Sequence, residues 1–348
     1  MKRLTSRATI LVVLIVPVAI LVTRPLVARA EFESSTPAPS TNPRDSARFW
    51  DLSIRPFIGF DDNVQLVPDA SFFDGDTSSF FGGLDVDGSL RFFENEHWTV
   101  AAAASLQNVW YAEDQPDPTP GVNDDHDDYD LAAVHPTASV GYRDVIAGKP
   151  VRIGTSYAFR FEDGEVHAIG LEAHTFGLSA SADLTRKLAV TLAYAHEWNR
   201  FDVSFPSNSL NGRDSDLDRV DVSARYRFDR GRRSITIGYG FAKNDADGSN
   251  FDYEAHQVSA KLSSHLIASL WGQVDFSARI ADYDGPGFGF IPVRRKEQEV
   301  FGYGVALVWV FCPNLSADAF YRRQDIDSNS ASFRSDRNQV GGGITFRF

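Results

Sequence analysis

Arginines and carboxylates recur at every second position along runs whose other positions are apolar, and this spacing limits the chemistry they can do. Arg219, Asp221, Ser223, Arg225 and Arg227 share one face of a run whose other face is Val220, Val222, Ala224, Tyr226 and Phe228. Only an extended strand repeats every two residues. A soluble core would not accept the charged side. The same alternation sets Arg152, Arg160 and Glu162 against Ile153, Tyr157 and Phe161, and Asp275 and Arg279 against Val274, Phe276 and Ile280. With Arg55, Asp85, Arg91 and Arg322, these residues are the candidates for lining an interior. Fixed charge of both signs on such a face has two uses. It selects polar or ionic solutes along a watered path. Alternatively it pairs across strands to fill a narrow interior, with Arg225 and Arg227 then held by carboxylates such as Asp221 and Glu197.

Other chemistries find little support. Asp124, Asp125, Asp127 and Asp128 cluster in one acidic stretch, Asp245 and Asp247 in a second, and Asp325 and Asp327 in a third. Alternating oxygens of this kind suit calcium. None of the stretches has the full twelve-residue calcium loop, so a solvated loop facing lipopolysaccharide is the preferred reading and no metal is assigned. His135, His167, His174, His196, His256 and His265 are scattered, and no serine sits in a strained glycine elbow beside them. The reading is therefore of a non-enzymatic protein without a cofactor.

The elements that must position these charges are strands throughout. Alternation and turn signals predict strands near 51–62, 78–93, 98–111, 129–144, 150–162, 168–184, 188–203, 217–228, 233–244, 253–264, 268–282, 297–311, 315–326 and 335–348. About 14 strands is an even number, as single-chain bacterial barrels require. Connections after even strands are tight, and those after odd strands are mostly longer and acidic. Short turns belong in the periplasm, so both termini are expected there. Phe92, Trp98, Tyr142, Phe228, Phe311 and Phe348 flank the short turns, while Phe60, Trp110, Phe161, Trp198, Phe241 and Tyr321 flank the long loops. Such rings favour the headgroup level of a membrane. The fold expected is all-β, an antiparallel transmembrane barrel.

The amino-terminal 30 residues carry Lys2, Arg3 and Arg7, an apolar run from Ala8 to Val22, and Ala28-Arg29-Ala30. That pattern is a signal peptide. Residues 31–49 then read as a disordered periplasmic lead-in, and 50–348 as the barrel. The formal charge is -13, and loss of residues 1–30 removes only basic side chains, making the remainder more acidic still. This excludes nucleic acid as a partner. The single cysteine, Cys312, leaves the exported chain without an internal disulfide.

At the carboxy-terminus, Val340, Gly342, Ile344, Phe346 and Phe348 form an apolar face. Gly343, Phe346 and Phe348 resemble the terminal assembly signal of bacterial outer-membrane barrels, with Gly341 where a polar side chain is usual. The resemblance implies recognition by the barrel assembly machinery and a location in the outer membrane, among its lipid and lipopolysaccharide. Gly59-Phe60-Asp61-Asp62-Asn63-Val64 with Leu66-Val67-Pro68-Asp69, and Tyr321-Arg322-Arg323 with Asp325 and Ser328, are similar to the barrel domain of surface lipoprotein assembly modifiers. That family carries helical repeats which this chain lacks, so client export would need a separate periplasmic partner. The leading expectation is a channel or transporter barrel for small polar or charged solutes. Protein or lipoprotein export, or a structural or adhesive barrel with functional outer loops, is the alternative.

The facing assignment is testable on a single strand. Val222→Arg places a charge on the lipid side at about 2 to 4 kcal/mol near the midplane, whereas Ser223→Arg faces the interior and is expected to be tolerated. Equal denaturant midpoints for the two variants would mean the register is wrong.

Overall fold

Each alternating run has two edges of main-chain donors and acceptors, and the chain satisfies both by closing on itself. The computed structural model describes residues 49–63, 78–112, 130–164, 170–201, 212–285, 295–329 and 334–348. The signal segment, the lead-in to residue 48, His167 and the acidic stretch 124–128 lie outside them. Fourteen antiparallel strands follow in sequence order, and the last pairs with the first. They are β1 (Trp50–Asp61), β2 (Ser79–Glu94), β3 (Trp98–Tyr111), β4 (Leu131–Ile146), β5 (Lys149–Gly164), β6 (Leu171–Asp183) and β7 (Leu188–Phe201). The second half comprises β8 (Ser215–Phe228), β9 (Arg233–Ala246), β10 (Tyr253–Ile267), β11 (Leu270–Tyr283), β12 (Glu297–Cys312), β13 (Leu315–Ser328) and β14 (Ser335–Arg347). Every expected strand is present, with ends displaced by no more than a few residues, where ladders fray.

The tight connections owe their shape to local chemistry. Ala147 and Gly148 both have positive φ, the backbone of a two-residue hairpin turn between β4 and β5. Asn95 Oδ1 accepts from the main-chain N–H of His97 at 2.8 Å and of Trp98 at 2.7 Å, closing the β2–β3 turn. Thr185 Oγ1 does the same for Lys187 and Leu188 between β6 and β7. All these turns lie at the barrel end that holds both strand termini, opposite the long loops.

Contacts that skip a strand identify the inside, because only the concave face lets a side chain pass over its neighbour. Arg55 on β1 reaches Asp318 on β13 across β14, and Arg160 on β5 reaches Glu197 on β7 across β6. Arg337 on β14 reaches Tyr111 on β3 across β1 and β2. The opposite parity is convex and carries the exposed large apolar side chains, including Ile58, Phe80, Ile237 and Trp309. The twelve aromatic residues expected at the two barrel ends all lie on this convex parity.

Not every aromatic side chain is convex: Phe57, Phe81, Tyr111, Tyr253, Tyr283 and Phe320 have the inward parity, mostly in the long-loop half. The reason is steric. Phe57 lies opposite Gly83, and Gly59 opposite Phe81, so each ring occupies the space where the facing glycine has no side chain. The two rings meet edge to face with centroids 6.2 Å apart. Gly341 is a further case, with a Phe320 ring carbon 2.8 Å from where a β-carbon would stand. This explains why a glycine replaces the usual polar residue there.

Gly83→Val is therefore expected to collide with the Phe57 ring and cost about 1 to 3 kcal/mol, as overpacking does. Gly88→Ala on the same strand meets nothing closer than 3.9 Å and is expected to be near neutral. Urea unfolding midpoints of the two refolded variants check this.

Candidate functional site

The inward face divides into two layers. In the long-loop half, charges are buried and paired. Asp61 is fully buried and accepts from Arg337 Nε at 2.7 Å, from Gln339 Nε2 at 2.7 Å and from the Asn63 main chain at 3.1 Å, with Arg337 Nη2 in addition. Next to it, Asn338 donates its main-chain N–H and its amide to Asp62, and Asn63 Nδ2 donates to the Asp336 carbonyl at 2.7 Å. The β1–β14 closure is thus fastened at its long-loop end by side chains as well as by the ladder. The described parts of both sequence motifs noted above meet here, while Val64 and Leu66–Asp69 lie outside the described residues. Asp61, Asp62 and Asn63 grip β14 from one side, while Tyr321 Oη donates to Asn338 and Arg323 pairs with Asp336 from the other.

Arg55 makes a second clasp. It donates to Asp318 from Nε at 2.9 Å and from Nη2 at 2.7 Å, and to Asp85 from Nη1 at 3.1 Å. Its path over β14 runs across Gly343, where Nε lies 2.9 Å from the position of a β-carbon. The glycine expected to belong to the assembly signal has this separate structural role, which β14 alone does not reveal.

Across the interior, Arg160 pairs with Glu162 at 3.5 Å and Glu197 at 3.7 Å, all three nearly fully buried. Thr175 Oγ1 donates to Glu197 at 3.0 Å. Arg279 lies over the Tyr253 ring at 4.9 Å, and Lys296 Nζ over the Tyr283 ring at 3.5 Å. Burial, the largest cause, pulls the Lys296 ammonium below its ordinary pKa, and Arg279 adds to this while Tyr283 opposes it.

In the short-turn half the same parity is more open, apart from the Arg55–Asp318 clasp beside β14. Arg152, Arg225 and Arg227 are exposed, and none has an ion-pair partner among the described residues. The carboxylates expected to hold them are engaged elsewhere: Asp221 accepts from Arg219 Nε at 2.7 Å, and Glu197 faces Arg160. Asp221 and Asp275 lean into the spaces left by Gly240 and Gly304. Arg91 pairs with Glu94 near a short turn, and Arg322 lies over Phe320 at 5.1 Å. The interior candidates therefore form no single cluster. They separate into buried networks at one end and solvated cations at the other.

The acidic calcium candidates lie elsewhere. Asp245, Asp325 and Asp327 have the convex parity, and Asp247 follows the end of β9. Asp325 pairs with Arg323 at 2.8 Å and Asp327 with Arg334 at 2.9 Å, around a shallow outer depression that Asp336 also lines. Arginine already supplies the counter-charge a cation would bring. Asp252 has its carboxyl pKa raised by burial, then by Asp284 and Asp245 nearby. Sequence reasoning missed a recurring convex contact. Tyr157 is hydrogen-bonded to His174 at 2.6 Å and Tyr239 to His256 at 2.7 Å, while Tyr194 and His196 share Asp218. The first two arise from hairpins with a common Tyr-x-Phe and Glu-Ala-His pattern, Tyr157/Phe159 with Glu172-Ala173-His174 and Tyr239/Phe241 with Glu254-Ala255-His256.

No protein-family model and no curated protein matches the chain. Among solved structures it is similar to OccAB3 of Acinetobacter baumannii, with 10% identity, TM-score 0.43, and coverage of 86% of this chain and 99% of that one. An anion-selective porin from Comamonas acidovorans matches at 12% identity and TM-score 0.43, covering 86% and 98%. A loop-deletion mutant of OmpT, an outer membrane protein of Vibrio cholerae, matches at 11% and 0.44, with the same coverage.

The Asp61 cluster yields a test. Asp61→Asn leaves Arg337 buried without its anion and is expected to cost about 3 to 5 kcal/mol, whereas Asp61→Leu combined with Arg337→Met is expected to recover much of that loss. Thermal melting of the three proteins in one detergent distinguishes a buried pair from a surface one, for which both effects would be below about 1 kcal/mol.

Proposed function

We propose that the chain is a bacterial outer-membrane channel for small polar or charged solutes, with its short turns and both termini in the periplasm. The observation that carries this reading is the set of exposed arginines Arg152, Arg225 and Arg227, without an ion-pair partner among the described residues, on the inward parity of the short-turn half. A guanidinium stays charged at any working pH, and inside a lipid-embedded wall it must be solvated or paired. Here it is not paired, so the lumen at that end is a watered vestibule. The buried networks around Asp61 and Arg160 narrow the other half, and the Arg55 clasp closes in nearer the middle, so the constriction lies above the vestibule. Barrels of about eight strands have filled interiors and those of about 16 have aqueous channels, and fourteen strands with one filled half and one open half fit between them. The convex aromatic rims and apolar band are the surface for lipid and lipopolysaccharide, and Phe346 and Phe348 remain the feature for the assembly machinery.

A second reading, export of a protein or lipoprotein client with a periplasmic partner, rests on the resemblance of the Gly59–Val64 and Tyr321–Asp325 motifs to assembly modifiers. The described residues of these motifs fasten the β1–β14 seam, a role that any closed barrel can use. They therefore favour neither cargo.

Single-channel recording in planar bilayers tests the channel. The unmodified protein is expected to conduct, with the vestibule arginines favouring anions, since loop charges are screened over roughly 8 Å. Arg225→Gln with Arg227→Gln is expected to lower the anion-to-cation permeability ratio while stability changes by no more than about 0.5 kcal/mol. A protein that conducts no ions, together with marked destabilisation by the double substitution, would exclude the channel.

A further inference from the structure

At the long-loop ends of β11 and β12 the interior holds hydrogen-bonding capacity that the described residues do not use. Gln298 is only 2% exposed, yet its Nε2 has no hydrogen-bond partner among the described residues, while its Oε1 accepts from Tyr283 Oη at 3.2 Å. Turning the amide over would leave the oxygen orphaned instead, so one amide atom is unanswered in either orientation. An orphaned buried polar atom costs about 1 to 3 kcal/mol and calls for an explanation.

Arg279 on the neighbouring strand is the second independent feature. It is half-buried, rests on the Tyr253 ring at 4.9 Å with the Tyr253 and Tyr283 hydroxyls as its hydrogen-bonding neighbours, and has no carboxylate within ion-pair distance among the described residues. The other inward arginines named above are neutralised: Arg337 by Asp61 and Arg160 by Glu162 and Glu197 in the long-loop half, and Arg55 by Asp318 and Asp85 nearer the middle of the barrel. Tyr253 and Tyr283 stand 5.3 Å apart, centroid to centroid, and are themselves buried, so they form a rigid floor. Lys296 sits over the Tyr283 ring on its other flank.

We propose that Arg279, Gln298 and the Tyr253–Tyr283 floor form a binding subsite for a small organic anion with a planar body. A carboxylate of the solute takes the guanidinium fork of Arg279 and the free Gln298 N–H, and its planar body lies against the two tyrosine rings. A delocalised cation held on an aromatic face keeps its charge available to a ligand, which a carboxylate-paired arginine does not. Fixed donors in a desolvated wall recognise an oxyanion without reorganising. The inference rests on the reading of the lumen as a solute path, but its test does not need conductance.

Isothermal titration of the refolded, detergent-solubilised barrel with benzoate is the experiment, with acetate and inorganic phosphate as comparison ligands. Benzoate is expected to bind more tightly than either. Arg279→Gln is expected to weaken benzoate at least tenfold and Gln298→Leu several-fold, while Gly88→Ala, on the convex face of β2, leaves it unchanged. Heat-modifiable migration on gels confirms that each variant is folded, and Gln298→Leu, which removes the orphan, keeps the test decisive if Arg279→Gln fails to fold. Benzoate affinity unaffected by either substitution overturns the subsite, as does phosphate binding equal to that of benzoate and indifferent to Tyr253→Leu. Benzoate binding lost on Arg279→Gln in a protein that conducts no ions would uphold the subsite and remove the channel. Conduction with no benzoate binding would do the reverse.

Discussion

A β-strand has two hydrogen-bonding edges, and in the lipid medium proposed for this barrel neither can be left open. Closure is therefore the constraint on which the rest depends. Thirteen of the ladders join neighbours in sequence and are assisted by short or local connections, whereas β1 and β14 must find each other from opposite ends of the chain. The densest buried polar network described lies at this join. Asp61, Arg337, Gln339 and Asn63 on the inside, with Asp62 and Asn338 beside them, define the register of the last ladder to be satisfied. An ion pair removed from water is weak evidence for stability. It is a better means of choosing one register, because a slip of one residue would bury two unpaired charges.

Closure also creates the interior, and its curvature decides what fits there. Inward-pointing side chains converge, so large residues need empty space opposite them. Gly59, Gly83, Gly341 and Gly343 supply it to Phe81, Phe57, Phe320 and Arg55 in turn. Four of the glycines near the seam are thus places where another residue's side chain lies. The same economy of space lets Asp221 and Asp275 lean over Gly240 and Gly304. What remains unfilled is the short-turn half, where Arg152, Arg225 and Arg227 meet solvent. The functional reading follows from this asymmetry. A uniformly paired interior would be a scaffold, and a uniformly open one a pore without discrimination.

Much of this could be read from the chain. Period-two alternation gave strand number, strand order and facing, and the run Arg219–Phe228 alone separated the two sides correctly because a charged face and an apolar face cannot share one environment. Loop lengths told the two barrel ends apart, since every tight turn falls at the end that holds both strand termini. The aromatic rims were legible for the same reason. At inward Phe57, Phe81 and Tyr253 the alternation is intact, but hydrophobicity is no guide to the side a residue takes. In a curved interior, bulk beside glycine fits equally well.

Partnership was not legible. The residue types allowed Arg225 and Arg227 to pair with Asp221 or Glu197, and only the structure shows Asp221 held by Arg219 and Glu197 by Arg160. Likewise nothing in β14 alone connects Gly343 with Arg55 and Asp318, which come from the two ends of the barrel sequence. Nor does any local pattern tell that Gln298 lacks a partner while Arg279 rests on Tyr253. The sequence by itself determined which face each side chain takes, because that depends only on the two-residue repeat of the strand. Which side chains meet across the lumen was decided by the tertiary structure alone, because that depends on barrel curvature and on the offset between strands distant in the chain.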